Sequence, residues 1–216
     1  LWAGVRHEVA GALIMRSENR GYTWARVDLP ADISPLGTWV SDILVNPRDP
    51  AMLWAVVRSR TGDLAASGLI YRRERDGHWQ RLDLGPFDPR SGNVDSCGVS
   101  GLAYDPNANV LFAGCDRLSW NDGRLRLIRS PNADAASSSA IRWEEASRFA
   151  WPDPPCTAPG VVRPLAVDAR EPKSLFVSLS AEEWGKPKRY RILVSHDSGV
   201  TWEALRMEGL LPGAAN

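Results

Sequence analysis

The chain has 216 residues, and its 26 Lys and Arg residues balance its 26 Asp and Glu residues. This length is enough to bury a sizeable core, and the balanced charge excludes the broad basic patch of a general nucleic-acid binder. The sequence holds no apolar run of the length that a membrane-spanning helix needs. Its three histidines are scattered, which predicts neither a metal site nor a bound cofactor. The unusual number is 10 Trp against 4 Phe and 4 Tyr, so the tryptophans need an explanation.

Residues 1–30 hold two short apolar runs followed by a polar turn. The runs 1–5 and 12–15 have the length and composition of strands. The segment 17–24, which reads Ser-Glu-Asn-Arg-Gly-Tyr-Thr-Trp, is typical of a turn because Asn bonds its own backbone and Gly adopts conformations that other residues resist. We predict two strands, a turn and a third strand in this unit.

Residues 38–85 repeat this pattern with one more strand in front. The run 43–45 precedes a turn rich in Pro and Asp, and the runs 53–57 and 69–71 follow it. A shortened turn, 75–79, then leads into a last strand. We call the four predicted strands of such a unit A, B, C and D, and the first unit starts at strand B.

Residues 97–147 and 161–208 form two further units of the same kind. Their predicted strands A, B and C occupy 102–104, 111–115 and 125–128 in one unit and 165–167, 175–179 and 191–194 in the other. The strand B runs begin at Leu1, Leu53, Leu111 and Leu175. Units of four short strands at this spacing are typical of the blades of a β-propeller.

The segment 195–202 reads Ser-His-Asp-Ser-Gly-Val-Thr-Trp and resembles the Asp-box, or BNR, repeat at every defined position. The segment 17–24 departs from it once, at Asn19, and the turns at 72–79 and 130–143 are degenerate. The chain is therefore similar to Asp-box propellers such as family 74 glycoside hydrolases (xyloglucanase-like), sortilin-type receptors, sialidases and photosystem II assembly factors.

This resemblance implies an all-β fold, a β-propeller of four-stranded antiparallel blades with Asp-box turns. We expect residues 1–216 to form one propeller segment of about four blades. We also expect the segment to belong to a larger propeller or to be completed by self-association, because an open blade leaves unpaired edges.

In the family the Asp-box turns lie on the face away from the ligand. The resemblance thus implies a structural role for their residues. These residues are Ser17, Asn19, Gly21, Thr23, Trp24, Asp76, Gly77, Trp79, Ser195, Asp197, Gly199, Thr201 and Trp202.

Six of the ten tryptophans belong to strand B or to the turns, and four do not. Trp39 and Trp151 fall in or beside connections from strand D to strand A, and Trp120 and Trp184 fall in connections from B to C. In a propeller both kinds of connection open on the face opposite the turns, where indoles offer flat area to a ligand. These rings either bind a ligand together with Asp122 or hold long loops in place, and for Trp39 and Trp151 the second interpretation is favoured.

Asp116 is a candidate catalytic residue. Only the third unit has an acid directly after strand B, and the segment 110–116 resembles the strand that ends in a catalytic Asp in family 74 enzymes. The residues after it lack the Gly-Gly of that pattern, so a solvated or Arg117-paired Asp is the alternative. Glycoside hydrolysis needs a second carboxyl group, which the sequence does not fix.

Three functions remain open at this point. We expect an exported propeller that presents a carbohydrate- or protein-binding face; the alternatives are a glycoside hydrolase of the family 74 type and an assembly or scaffold factor. A Cys97–Cys115 disulfide with Cys156 left over fits the exported protein, and three free thiols fit a cytosolic one equally well.

Overall fold

The computed structural model describes residues 1–7, 11–30, 32–33, 37–59, 68–89, 96, 98–115, 125–149, 160–168, 170–171, 173–181 and 189–205. Within these residues the protein is all-β, with four antiparallel sheets whose strands follow one another in chain order. The first sheet has three strands: β1 (Trp2–His7), β2 (Gly11–Arg16) and β3 (Ala25–Val27). The prediction of an all-β, propeller-like fold is confirmed.

The other three sheets have four strands each. The second consists of β4 (Thr38–Val45), β5 (Leu53–Ser59), β6 (Gly68–Arg73) and β7 (Trp79–Arg81). The third consists of β8 (Val99–Asp105), β9 (Val110–Cys115), β10 (Leu125–Ser130) and β11 (Glu144–Phe149). The fourth consists of β12 (Gly160–Val167), β13 (Leu175–Ala181), β14 (Arg189–Ser195) and β15 (Glu203–Ala204). Short 3-10 helices lie at Gly85–Phe87 and Ser138–Ala140.

Each sheet packs face to face on the next one along the chain. Strands β1 and β2 contact β4, strands β4 to β6 contact β8, and strands β8 to β10 contact β12. Because β8 contacts both β4 and β12, we call β4, β8 and β12 the inner strands. This serial packing, with strand A of each four-stranded sheet innermost, is the arrangement of consecutive propeller blades.

The alternation of side chains along β5 explains how one sheet serves two interfaces. Leu53 and Ala55 join a core with Ile14 of the first sheet, whereas Trp54 joins a core with the third sheet. Successive side chains of a strand point to opposite faces, so a strand between two sheets is apolar at every position. Trp54 is fully buried, and its ring centroid lies 4.9 Å from that of Tyr104 in β8.

Glycines set how closely neighbouring sheets approach. A Cβ added at Gly114 of β9 would lie 1.9 Å from the carbonyl oxygen of Val162 in β12, and one added at Gly68 of β6 would lie 1.9 Å from that of Val99 in β8. At Gly4 of β1, an added Cβ would meet the side chain of Val40 at 2.8 Å. Any larger residue at Gly114 or Gly68 would therefore have to push the next sheet's backbone away.

The turn at 195–202 is held by two side chains. The hydroxyl of Ser195 accepts a hydrogen bond from the Gly199 amide (2.8 Å) and donates to Asp197 Oδ1 (2.7 Å). Asp197 Oδ1 also accepts from the Thr201 amide (2.8 Å). Gly199 has φ of +91°, which is strained for any residue with a Cβ. These bonds satisfy the backbone donors of a tight turn and fix its shape.

The turn at 17–24 has the same geometry with a neutral side chain. Ser17 Oγ accepts from the Gly21 amide (2.8 Å), and Asn19 Oδ1 accepts from the Thr23 amide (2.8 Å). The side-chain amide of Asn19 donates to Thr23 Oγ1 (2.8 Å), where Asp197 accepts from a threonine hydroxyl instead. Asn at the third position therefore preserves the turn.

The other two turns depart from this geometry in different ways. The third turn contains an insertion. Asn132 Oδ1 nevertheless accepts from Ser130 Oγ (3.1 Å) and from the Arg142 amide (3.0 Å), so the hydrogen bonds of the third turn position are kept. In the second sheet Arg73 pairs with Leu53, whereas Ser195 pairs with Leu175 at the matching position of the fourth. This turn has therefore lost its serine.

Asp76 lies one position later in the second turn than Asp197 does in the fourth. Its carboxylate accepts a hydrogen bond from the amide of His78 (2.9 Å). Gly77 keeps the positive φ (+90°) that the tight reversal requires. Asp76 and Gly77 thus both belong to the turn, but Asp76 does not take the place of Asp197.

Candidate functional site

The two ends of the sheets differ in kind. At one end the A–B hairpins contact the C–D turns, as the Ser198 amide donates to Lys173 O (2.9 Å) and Ser174 Oγ lies 2.9 Å from His196 Nδ1. We call this end the turn face. The opposite end carries the B–C and D–A connections, and we call it the loop face.

Three indole N–H groups near the turn face donate hydrogen bonds within the protein. The indole nitrogen of Trp202 donates to Gly199 O (3.1 Å) and lies 2.9 Å from Ser147 Oγ of the preceding sheet. Trp79 donates to Asp28 O (2.8 Å), which also belongs to the preceding sheet's end. Trp24 donates to Gly21 O (3.0 Å) within its own turn and is 40 % exposed. These contacts account for the three rings as parts of turns and sheet junctions.

Most of the predicted ligand-face residues lie in the loop-face connections, outside the residues that the structure describes. They are Asp116, Trp120, Asp122, Trp151 and Trp184, and the same holds for Cys97 and Cys156. Cys115, at the loop-face end of β9, is disulfide-bonded. Its bonded state excludes the alternative in which all three thiols are free.

Trp39 is the predicted ligand-face residue that the structure describes. It is the second residue of β4, beside the connection that precedes the strand, and it pairs with Arg58 of β5. The Arg58 guanidinium lies 5.8 Å from the centre of the indole, a cation–π distance. The indole is half-buried, so the strand holds it firmly at the loop-face end.

A polar group of residues lies in the middle of the inner strands; we call Ser41, Asp42, Gly101 and Arg163 the inner cluster. Asp42 Oδ2 in β4 accepts from the Leu102 amide of β8 (2.9 Å). Arg163 Nη2 in β12 donates to Ser41 O of β4 (3.0 Å), across the position of Gly101 in β8. Asp42 thus links the second sheet to the third, and Arg163 links the fourth sheet to the second.

The inner strands are all irregular at the level of this cluster. Each has a register shift there, between Val40 and Asp42, between Val99 and Gly101, and between Pro164 and Ala166. Bulges interrupt regular pairing and redirect side chains, and they are common next to binding sites. Here they turn Asp42 and Arg163 toward the neighbouring inner strands.

The inner cluster was not predicted from the sequence. The available signal was one charged residue inside each of two strand A segments, Asp42 within 39–45 and Arg163 within 161–167. A charge inside an apolar strand is costly unless it finds a partner. The partners themselves lie on other blades, and no spacing within one repeat reveals them.

A second polar group joins the outer part of the second sheet to its connections. The Tyr71 hydroxyl donates to Asp32 Oδ2 (3.0 Å), and Arg81 forms an ion pair with Asp88 (2.9 Å). Burial, followed by the nearby Asp32 carboxylate, raises the pKa of Tyr71. Burial also raises the pKa of Asp88, and Arg81 partly offsets this. Since the four residues form two pairs, we interpret the group as an anchor for Asp32 and for residues 82–89.

Among the described residues no group of three or more His, Cys, Asp and Glu side chains is arranged to hold a metal ion. The described part of the chain likewise contains no helix long and apolar enough to cross a membrane.

Comparison with solved structures gives distant structural neighbours, among them a glycoside hydrolase. The protein is similar to the GH74 xyloglucanase from Xanthomonas campestris, with 19 % sequence identity and a TM-score of 0.47. The alignment covers 95 % of this chain and 36 % of the xyloglucanase chain. No protein-family model and no curated protein matches the sequence.

Proposed function

We propose that this chain is a segment of an exported Asp-box propeller whose loop face binds carbohydrate. The observation that carries the proposal is Trp39, a half-buried indole fixed in an inner strand at the loop-face end, beside the Arg58 guanidinium. An indole offers a flat apolar surface with little loss of conformational entropy. Such a surface suits the apolar face of a pyranose ring.

The contrast between the two faces supports this assignment. On the turn face Trp79 and Trp202 donate their indole N–H groups to the preceding sheet. Trp39 lies near the loop-face end of β4, and Asp42 lies further along the same strand. Carbohydrate recognition combines aromatic area with hydrogen-bonding side chains, and β4 carries one of each.

Export is part of the same proposal and rests on Cys115. Disulfides form and persist in oxidising compartments and are rare in the cytosol. A disulfide at Cys115, at the end of β9, therefore supports an extracytoplasmic location. Mass analysis of the protein purified from its natural compartment, with and without reduction, tests this point. If every cysteine of the unreduced protein reacts with the alkylating agent, the proposal is contradicted.

The binding proposal is tested with a panel of immobilised oligosaccharides, followed by calorimetry on those that bind. Trp39→Ala is expected to weaken binding at least about tenfold, as the loss of a central aromatic contact does. Trp39→Phe retains part of the aromatic area, and its affinity is expected to lie between those of the wild type and Trp39→Ala. Trp24→Ala is the matched control, because Trp24 is a partly exposed indole on the turn face.

Four outcomes decide the proposal. Selective loss in the Trp39 variants supports it, whereas equal loss in Trp24→Ala, or no bound oligosaccharide at all, contradicts it. Release of reducing ends by the wild-type protein, abolished in Asp116→Ala, would instead identify a glycoside hydrolase.

A further inference from the structure

The first and fourth sheets each have one side on which no other sheet packs in the described part of the chain. The first sheet packs on the second through β1 and β2, and the fourth packs on the third through β12. The larger hydrophobic cores of the described residues likewise join neighbouring sheets: the first to the second, the second to the third and the third to the fourth. The stack therefore ends in two uncovered sides.

The uncovered side of the first sheet is apolar. Gly4 and Ile14 point at the second sheet, because a Cβ added at Gly4 would meet Val40 and Ile14 belongs to the core shared with that sheet. Side chains alternate along a strand, so the neighbouring positions of β1 and β2 lie on the other side. We call this side the leading face; its residues are Ala3, Val5, Leu13 and Met15. None of them is fully buried, and Val5 is 37 % exposed.

The uncovered side of the fourth sheet is apolar as well. Val177 of β13 and Leu193 of β14 belong to the core shared with the third sheet. Their strand neighbours Phe176 and Ile192 therefore point the other way. Leu205 lies opposite Ile192, to which its amide donates a hydrogen bond (2.9 Å). We call this side, formed by Phe176, Ile192 and Leu205, the trailing face. Leu205 is 41 % exposed, and the other two are half-buried.

The same positions are covered inside the stack. The four units align on the first residues of their strand B runs and on the pairing of the strands that follow. In this alignment the trailing face corresponds to three buried positions of the second sheet: Trp54, Ile70 and Leu82. The leading face corresponds to buried positions of the third sheet that include Ala113, Cys115 and Ile128. All six belong to the core between the second and third sheets. The leading and trailing faces are thus the two halves of an interface that already exists inside the molecule.

The charges at the outer rim of the two faces are opposite. Arg26 of β3 pairs with Met15 and lies on the leading side, and Glu203 of β15 pairs with Val194 and lies on the trailing side. Both are exposed. Docking a leading face on a trailing face brings opposite charges to the same rim, whereas docking two like faces brings like charges together.

We infer that a second copy of this chain docks head to tail, with its leading face on the trailing face of the first copy. The contact between the chains then resembles the junction between the second and third sheets, and Val5 and Leu205 leave water. Each copy carries both halves of the interface, so the partner needs no surface that this chain lacks. Contiguous exposed apolar faces mark sites of protein association, and contacts between unlike faces are head to tail. This association goes beyond carbohydrate binding and does not depend on it.

The test is sedimentation equilibrium of the chain and its variants over a wide range of concentration. The wild type is expected to reach the mass of at least two chains. Val5→Lys places a charge in the leading face and Leu205→Glu places one in the trailing face. Each is expected to weaken association at least about tenfold, because a charge buried in an apolar interface is costly. A mixture of the two variants is expected to associate, since one keeps its trailing face and the other its leading face.

Val200→Lys is the matched control, because Val200 is a 72 % exposed valine in the fourth turn, outside both faces. It is expected to associate as the wild type does, and circular dichroism confirms that every variant is folded. A folded wild type that keeps the mass of one chain at the highest concentration would overturn the inference. Association lost in one variant and unchanged in the other would also overturn it, since that result indicates docking of two like faces. Oligosaccharide binding by such a single chain would leave the proposed function standing.

Discussion

Replacing Gly114 by alanine tests the packing of one blade on the next. The added Cβ would lie 1.9 Å from Val162 O, 2.7 Å from the Val162 carbonyl carbon and 2.6 Å from Pro164 Cδ. Real Cβ atoms essentially never come within 3.0 Å of another heavy atom. Two of the three obstacles are backbone atoms of an inner strand, so rotating a side chain does not relieve the clash, and the third and fourth sheets must separate locally.

The expected cost follows from what this separation disrupts. Ser100 Oγ lies within hydrogen-bond distance of both Gly114 O and Val162 O, so the junction also carries a buried polar contact. Overpacking in a well-packed core costs about 1–3 kcal/mol, and we expect Gly114→Ala to fall near the upper end. For a chain of this length about 3 kcal/mol corresponds to a fall in melting temperature of roughly 6–12 °C.

Gly4→Ala is the matched control for this prediction. There the added Cβ would meet the side chain of Val40, at 2.8 Å, and the nearest backbone atom is 3.4 Å away. Because the shortest contact is 2.8 Å at Gly4 and 1.9 Å at Gly114, a smaller displacement relieves it, and we expect a loss of about 1 kcal/mol. Thermal unfolding followed by circular dichroism compares the two variants. A melting temperature for Gly114→Ala equal to that of the wild type, or a larger loss for Gly4→Ala, would refute the reasoning.

Three further predictions concern single side chains. Ser195→Ala leaves the buried Gly199 amide without its acceptor (2.8 Å) and is expected to lower the free energy of unfolding by about 1–3 kcal/mol. Ser139→Ala, at an exposed serine, is the control and is expected to change nothing in urea unfolding. Equal urea midpoints for the two variants would contradict this. Tyr71→Phe removes the bond to Asp32 and is expected to cost about 1 kcal/mol, whereas Tyr22→Phe, at an 87 % exposed ring, changes nothing. Hydrogen bonds from Thr201, first its hydroxyl and then its amide, with one from Ser195, hold the pKa of Asp197 far below its ordinary value of 3.8. A lowered folded-state pKa stabilises the protein above the unfolded-state pKa and loses this effect as pH falls through the folded-state value. The melting-temperature advantage of wild type over Asp197→Asn therefore shrinks below about pH 4, and an advantage that grows with acidity would contradict the account.

The repeat made the sheets predictable from the sequence. Apolar runs of strand length, recurring from Leu1 to Leu175, predicted each strand B and its neighbours because a strand between two sheets is apolar on both faces. The turn residues were predictable for a similar reason, since Ser195, Asp197 and Gly199 interact within a few residues of one another. Local chemistry at a fixed spacing is visible in a single sequence.

Contacts between blades were not predictable in this way. Arg163 and Ser41 are 122 residues apart, and their contact depends on how three sheets stack. Arg72 is a second contact that the sequence does not predict. It is fully buried, and its guanidinium donates to Ala135 O (2.7 Å), in the insertion of the third turn, and pairs with Glu74. From the sequence alone, an arginine near the end of a strand predicts an exposed position. Here the neighbouring blade covers it.

The central claim is that the loop face, and not the turn face, contacts the ligand. Two-dimensional ¹H–¹⁵N NMR resolves indole N–H signals individually, and single Trp→Phe variants assign them. On titration with the selected oligosaccharide the account predicts that the Trp39 signal shifts while those of Trp24, Trp79 and Trp202 stay in place. Shifts confined to the turn-face indoles, with Trp39 unmoved, would contradict it.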